Sequence, residues 1–239
     1  MAARTTQLSS FSRRLDEVRN HFGDEAYSQE LSRISDDFSL DISIMNPDLR
    51  VAFMDVASAT NERTMIAAAT GALPHGNSVP VLTAKASASA LVGLLNSLVF
   101  DFSARARCSG LHLNWFVVAE TAVPRPSDQM ESSIASLVRR LAQCSPIFAW
   151  DHLRNKESSQ RPKWGLTRSE RTRIRVQLEC VCASLFGLDV RDLADVIAQC
   201  DLPVAELRSG SVELAPRGFW RIDQTEPPEL RLPVLVFIG

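Results

Sequence analysis

Residues 84–107 constrain the fold more than any other segment. Their spacing predicts one helix whose middle is apolar on most sides: Leu91, Leu95, Leu98 and Phe102 share one face, and Val92 and Val99 flank it. A helix with so little polar surface has to be enclosed by other elements. The apolar run from residue 90 to 102 is interrupted by Asn96, Ser97 and Asp101. It falls short of the roughly 20 residues of a membrane span. The helix is therefore expected in a protein core and not in a membrane. Its end turns basic at Arg105 and Arg107, before Cys108-Ser109-Gly110, which suits a helix C-terminus with a glycine exit.

Elements able to enclose this helix are visible on both sides. Residues 49–57 alternate as a strand, with Leu49, Val51 and Phe53 on one parity, and 64–69 and 79–82 are further strand candidates around a loop at 71–77. Residues 111–118 read as a strand covered on both faces, which places Trp115 in the core, and Pro124 and Pro126 close that module. Ile134, Leu137, Val138 and Leu141 mark an amphipathic helix, and 144–164 reads as a charged loop. Thr167-Arg-Ser-Glu170 is a capping-box pattern, opening a helix with the stripe Ile174, Leu178, Val181 and Leu185 that ends at Gly187. Asp189 is placed to cap a short helix carrying Leu193, Val196 and Ile197. Near the start, Phe11, Leu15, Val18 and Phe22 recur at helical spacing up to Gly23, and Tyr27, Leu31 and Ile34 predict a second short helix. The pattern predicts a mixed α/β (α+β) protein. It comprises a helical arm (1–48), a module of strands packed on the buried helix (49–126), a helical support with a basic segment (127–205) and a strand or loop tail (206–239).

Composition works mainly by exclusion. A net charge of −2 rules out a generally basic nucleic-acid coat, so any nucleic-acid surface must be a local patch. The five cysteines, Cys108, Cys144, Cys180, Cys182 and Cys200, are odd in number and form no CxxC pair, while His21, His75, His112 and His152 are scattered. No disulfide framework or metal set emerges, and buried or half-buried thiols are expected. Residues 1–7 contain no apolar leader segment, and a cytoplasmic location is expected. No phosphate-loop, HExxH or GxSxG pattern is present. Asn46-Pro47-Asp48-Leu49 shares only its first two residues with the Asn-Pro-Pro-aromatic motif that grips an extruded adenine, and reads as a turn. Asp55 and Glu62 are an unspecific acidic pair.

Two patches carry candidate chemistry. Arg154, Lys156, Arg161, Lys163, Arg168, Arg171, Arg173 and Arg175 are opposed only by Glu157 and Glu170. On a helix, Arg168, Arg171 and Arg175 share one side, a row that attracts a phosphate backbone through counterion release. A solvated helix face is the plainer reading. The second patch sets Arg105, Arg107, His112 and Asn114 around one turn, with His75 and Asn77 on the earlier loop. Arginine and asparagine make bidentate contacts with guanine and adenine edges. The alternative is a helix end whose polar residues satisfy loop backbone. Trp150, Trp164 and Trp220 read more readily as loop anchors than as stacking platforms.

Several of these segments form an ordered series. It runs Arg50-Val-Ala-Phe-Met-Asp-Val56, Asn61-Glu-Arg-Thr64, Gly76-Asn77-Ser78, Leu94-Leu-Asn-Ser-Leu-Val-Phe-Asp-Phe102, Arg105, Gly110-Leu-His-Leu-Asn-Trp-Phe-Val-Val118 and Val123-Pro-Arg-Pro126. Trp150-Asp151, residues 171–187 and Gly218-Phe-Trp-Arg221 continue it. The series resembles the C-terminal target-recognition region of large adenine-specific DNA methyltransferases of restriction–modification and phage-defence systems, type IIG enzymes included. The resemblance covers roughly residues 49–239 and implies a DNA-binding, target-recognition role on double-stranded DNA. Arg and Lys side chains would fix register on phosphate, and loops near 71–78 and 105–114 would read bases. It implies no catalysis by this chain, because the family's SAM-binding and Asn-Pro-Pro-Tyr domain lies N-terminal to the matched region and no residue here matches it. SAM is expected on a methyltransferase subunit or domain acting as partner. Two other classes remain: a structural adaptor subunit of a defence complex, and a metal-dependent nuclease with unrecognised carboxylates.

Overall fold

A computed structural model describes residues 19–20, 23–25, 28–29, 49–71, 73–83, 86–154, 164–199 and 218–238. The chain divides into two units, 1–46 and 47–239. In the first, the described residues are helical and Arg19 pairs with Asp24 at 3.3 Å. Gly23 has φ +84°, a left-handed conformation that glycine adopts without a Cβ penalty. The apolar stripes expected at Phe11, Leu15, Val18 and Phe22 and at Tyr27, Leu31 and Ile34 lie outside the described residues.

The second unit is α+β, as the sequence pattern predicts. Its sheet has the order β2-β1-β3, from β1 (Arg50–Phe53), β2 (Ala67–Thr70) and β3 (Val81–Leu82), all antiparallel. Val51 stands opposite both Ala69 and Leu82. Eight α-helices are present among the described residues of this unit: α1 (Ala88–Leu95), α2 (Leu98–Arg107), α3 (Trp115–Glu120), α4 (Asp128–Ala142), α5 (Ala149–Arg154), α6 (Arg168–Leu185), α7 (Val190–Gln199) and α8 (Leu232–Ile238). Among the described residues no helix is long and apolar enough to cross a membrane.

The buried segment 84–107 is two helices, not one. Asn96 and Ser97 break it because both use their side chains on backbone. Ser97 accepts from the Phe100 amide at 3.2 Å and donates to the Leu94 carbonyl at 2.7 Å. Asn96 pairs with both polar groups of Ala67, at 3.0 and 2.8 Å, and so pins the break to β2. Such local bonds offer the chain an alternative to continuing the helix. Glu179 of α6 caps the new start by accepting from the Leu98 amide at 2.7 Å. α1 then lies tight on α4: a Cβ at Gly93 would meet Ile134 Cγ2 at 2.6 Å.

Residues 111–118 are not a strand. One bridge joins His112 to Val56, and α3 follows. Leu113 and Val117 are buried at i, i+4 spacing, whereas Trp115 is 65% exposed, so its expected place in the core is wrong. The C-terminal run, expected as strand or loop, contains α8, with Leu232 and Val236 buried one turn apart. Pro233 sits in its first turn, where a missing N–H costs nothing. The loop expected at 144–164 contains the 3₁₀ turn Pro146–Phe148 and α5. Locally encoded signals appear where expected. Thr167 and Glu170 form the reciprocal capping box, Gly187 has φ +74°, and Asp189 accepts from the amides of Arg191 and Asp192 at 2.7 and 2.8 Å.

Two apolar clusters result. One joins the sheet to α1, α2, α4 and α6 through Phe53, Met65, Leu95, Phe100, Ile134 and Ile174. The other joins α2, α7, α8 and the 3₁₀ turn Gly218–Arg221 through Leu98, Ile197, Phe219, Ile222 and Leu232. A buried polar network runs among them. Asp101, with 0% exposure, accepts from the amides of Thr64 and Met65 at 2.8 and 2.6 Å and pairs with Arg105 at 2.8 Å. Arg105 donates to the carbonyls of Ala59, Asn61 and Glu62 at 2.6, 2.8 and 3.3 Å and lies 4.7 Å over the Phe219 ring. Arg63 pairs with Glu179 at 3.1 Å. Burial raises the Glu179 carboxyl above its ordinary range, with the Arg63 charge opposing. Removing one partner of a buried pair strands the other. Asp101→Asn should therefore cost about 3–5 kcal/mol in chemical denaturation. A loss under about 1 kcal/mol, the scale of an exposed pair, would show that the network is dispensable.

Candidate functional site

The two loops expected to read bases are stitched to one place, the residues just past β1. Asp55 donates its N–H to the Ser78 carbonyl at 3.0 Å, and its own carbonyl accepts from Leu113 at 2.6 Å. Ala57 donates to the Leu111 carbonyl at 3.0 Å. Ser78 and Leu113 are thus held on Asp55, and Leu111 on Ala57. His75 is half-buried, with Nε2 3.2 Å from Thr70 Oγ1, and Asn77 is exposed in the turn closed by Val79 N–H on the Gly76 carbonyl. His112 is exposed and its Nδ1 is 2.8 Å from Asp55 Oδ2. Asn114 occupies the N-cap position of α3, is exposed, and makes no side-chain cap bond. Arg107 is exposed at the end of α2. Arg105 does not belong to this set. It is buried and its nitrogens serve Asp101 and three carbonyls, so it has no reach to a base.

The basic row on α6 is largely used inside the fold. Arg168 forms an ion pair with Glu226. Arg171 donates to the Leu141 carbonyl at 2.7 Å and lies 3.4 Å from that of Gly165. Arg175 reaches both carboxylate oxygens of Asp223, at 3.1 and 3.2 Å. Asp223, at φ 55°, also accepts from the Leu232 amide at 3.3 Å. Arg168 and Arg175 therefore seat the turn that carries α8, and Arg171 ties α6 to the end of α4 and to Gly165. Arg173, between these positions, is exposed. Lys156, Arg161 and Lys163 lie outside the described residues, as does Cys200. Trp164 stacks edge-on against His152 at 5.7 Å, the loop-anchor arrangement. Cys182 is buried and burial pushes its thiol up, while Cys180 is half-buried.

One feature escapes the sequence pattern. Val56, Leu111, Trp115 and Phe116 are all exposed, Leu111 at 70%, beside the Asp55–His112 junction. The Trp115 and Phe116 rings meet edge-on at 6.5 Å. The signal was present in the i, i+4 pair Leu113 and Val117, which turns Trp115 outward once the segment is helical. Among the described residues no group of three or more His, Cys, Asp or Glu side chains is arranged to hold a metal. No family model, curated protein or solved structure matches this chain.

The use of the row within the fold makes a contrast. Arg175→Glu sets like charge against Asp223 and should release the 223–238 segment, seen as new protease cleavage there and a lowered Tm. Arg168→Glu removes a pair on a highly exposed side chain, where such pairs contribute about 0–1 kcal/mol, and should leave the cleavage pattern intact. Identical behaviour of the two variants would refute the clamp.

Proposed function

We propose that this chain is the DNA-binding, target-recognition part of an adenine-specific DNA methyltransferase of a restriction–modification or phage-defence system. A methyltransferase subunit or domain would supply SAM, base extrusion and methyl transfer. One observation carries this reading: the motifs behind the resemblance close on one another in space. Arg63 and Thr64, Asn96 and Ser97, Asp101, Arg105 and Glu179 join into buried hydrogen-bonded contacts that span up to 116 positions of sequence. These residues hold a frame. Recognition chemistry is left to the exposed loops fixed on it.

In this reading His75, Asn77, His112 and Asn114 face base edges, and Arg107 and Arg173 hold phosphate. Arg168, Arg171 and Arg175 serve as frame. His112 is pre-oriented: with Asp55 accepting from Nδ1, Nε2 is left for a base edge. A bidentate base contact is worth about 1–3 kcal/mol of discrimination. Selection from a random duplex pool, with the methyltransferase partner present, should enrich one short sequence. The combined variant Arg107→Ala, His112→Ala, Asn114→Ala should lose that preference at unchanged Tm. A pool left unenriched by the native chain would reject the proposal.

The exposed, edge-on pair Trp115 and Phe116 favours a second reading, the structural adaptor. Contiguous exposed apolar surface marks protein contacts, and aromatic residues dominate their energetics. The chain would then hold the methyltransferase subunit and never touch bases. Trp115→Ser with Phe116→Ser should weaken subunit association by roughly tenfold or more, an effect of about 1.4 kcal/mol, without altering duplex affinity. Lost duplex affinity with association intact would assign the face to DNA instead.

A further inference from the structure

The two outer strands of the sheet are protected to different degrees. β3 is two residues long and follows Pro80, and both features blunt an edge against further pairing. β2 has neither. Its four residues are three alanines and a threonine, with no charge and no proline, and its register with β1 is continuous.

Hydrogen-bond parity shows which groups of β2 point away from β1. Met54 donates to the Ile66 carbonyl at 3.0 Å, whereas Phe53 donates to Pro80, on the β3 side, at 3.0 Å. Even-numbered residues of β1 therefore bond β2, and the register sets Ala52 against Ala68 and Arg50 against Thr70. Ala67 and Ala69 are left with their N–H and C=O directed outward. Ala67 is answered by the side chain of Asn96, which accepts its N–H at 3.0 Å and donates to its carbonyl at 2.8 Å, as a neighbouring strand would. Ala69 is the next repeat on the same edge, about 7 Å further along. Among the described residues neither its N–H nor its C=O has a partner.

This edge borders a cleft of about 460 Å³ between β2, α1, α4 and α6. Ala67, Ala68 and Ala69 line it, and Val92, Leu141 and Leu178 are among its apolar walls. Alanine side chains leave the backbone of β2 open to approach. Arg171 also lines the cleft; it is exposed and held only by carbonyl oxygens, so the rim is positive. An open strand edge beside an apolar cleft is the arrangement that strand addition uses. Main-chain hydrogen bonds supply affinity there, and the cleft selects alternate side chains.

We infer that β2 is an acceptor edge for an extended segment of a partner protein, apolar at alternate positions and flanked by acidic residues. The segment's backbone takes up the N–H and C=O of Ala69. The residue bonded to Ala69 has its side chain on Ala69's face of the sheet, so every second side chain enters the cleft. The positive rim favours acidic flanks through encounter and not through a buried contact. None of the exposed residues at the Asp55 junction lines the cleft, so the inference is independent of the DNA reading.

The test is amide hydrogen exchange, read residue by residue by NMR on the full chain. The probe is the acetylated and amidated peptide Glu-Val-Thr-Val-Thr-Val-Glu. Without peptide, the Ala69 amide should exchange about tenfold or more faster than those of Ala67 and Ala68. The peptide should bind with a Kd below about 1 mM, and at about ten times Kd should slow exchange at Ala69 about tenfold. N-methylation of its three valines, whose N–H groups face the edge, should weaken binding about tenfold or more; N-methylation of its threonines should not. Lysine in place of both glutamates should weaken it severalfold at low salt. Ala69→Pro removes the outward N–H and spares the ladder to β1, so it should lose binding while keeping the native melting curve. Slow exchange at Ala69 in the free chain, no binding, or equal binding by the valine-methylated or lysine-flanked peptide would each overturn the inference. So would protection of Ala69 that rises with protein concentration alone, which would assign the edge to a second copy of the chain.

Discussion

Asp101 and Arg105 are a full charge pair one helical turn apart, removed from water, and most of the second unit depends on how that pair is satisfied. A buried carboxylate is tolerable only if its lone pairs are taken up, and Asp101 uses the amides of Thr64 and Met65 for this. A buried guanidinium needs acceptors, and Arg105 finds them in three carbonyls between residues 59 and 62. Past the single Val56–His112 bridge, the segment that leads from β1 to β2 contains no helix or strand, so the backbone of 58–65 has no ladder of its own. One salt-bridged side chain provides the partners that a ladder would. The path of 57–66 is thereby fixed, and with it the approach of β2 to β1.

The second fixed point is the helix break. Asn96 gives its whole amide to Ala67 and Val92, which ties the end of α1 to β2. Glu179 binds the first amide of α2 and, through Arg63, the residue next to Thr64. Sheet, helix break and α6 are therefore coupled through polar atoms inside an apolar cluster. Each contact is specific in direction, unlike the surrounding aliphatic packing. This coupling brings the residues past β1 to a defined position, where Ser78 on one side and Leu111 and Leu113 on the other complete their hydrogen bonding.

How far the sequence anticipates this depends on the range of the interaction involved. The capping box at Thr167, the left-handed Gly187 and the Asp189 cap are each settled within a few residues, and each is where the pattern places it. The α+β class and the strand that begins near residue 50 follow from periodicity. The failures share a cause. Residues 111–118 form a short apolar run, for which alternation and helical spacing are nearly indistinguishable, so Trp115 is assigned to the wrong side. The apolar stripe of 84–107 continues in phase across Asn96 and Ser97, so periodicity alone hides the break, which exists because Ala67 is 29 positions away. The fate of the basic row is decided by Asp223 and Glu226, 48 and 58 positions downstream. A charge count along the chain registers the arginines without registering what neutralises them.

That last point bears on how motifs and function relate in this chain. Five polar residues of the motif series on which the proposed reading rests, Thr64, Asn96, Ser97, Asp101 and Arg105, spend their polar atoms inside the fold. Their chemistry is satisfied inside, so none is available to a ligand, however suggestive arginine and asparagine are in a list of base-reading side chains. The exposed residues at the Asp55 junction have the opposite property. His112 and Asn114 make few internal bonds, and their replacement disturbs no buried group. A frame that over-determines the position of a loop while leaving its side chains unconstrained lets the loop's identity change without loss of fold. A recognition element with variable specificity needs this separation, and the proposed function rests on it more than on any single arginine.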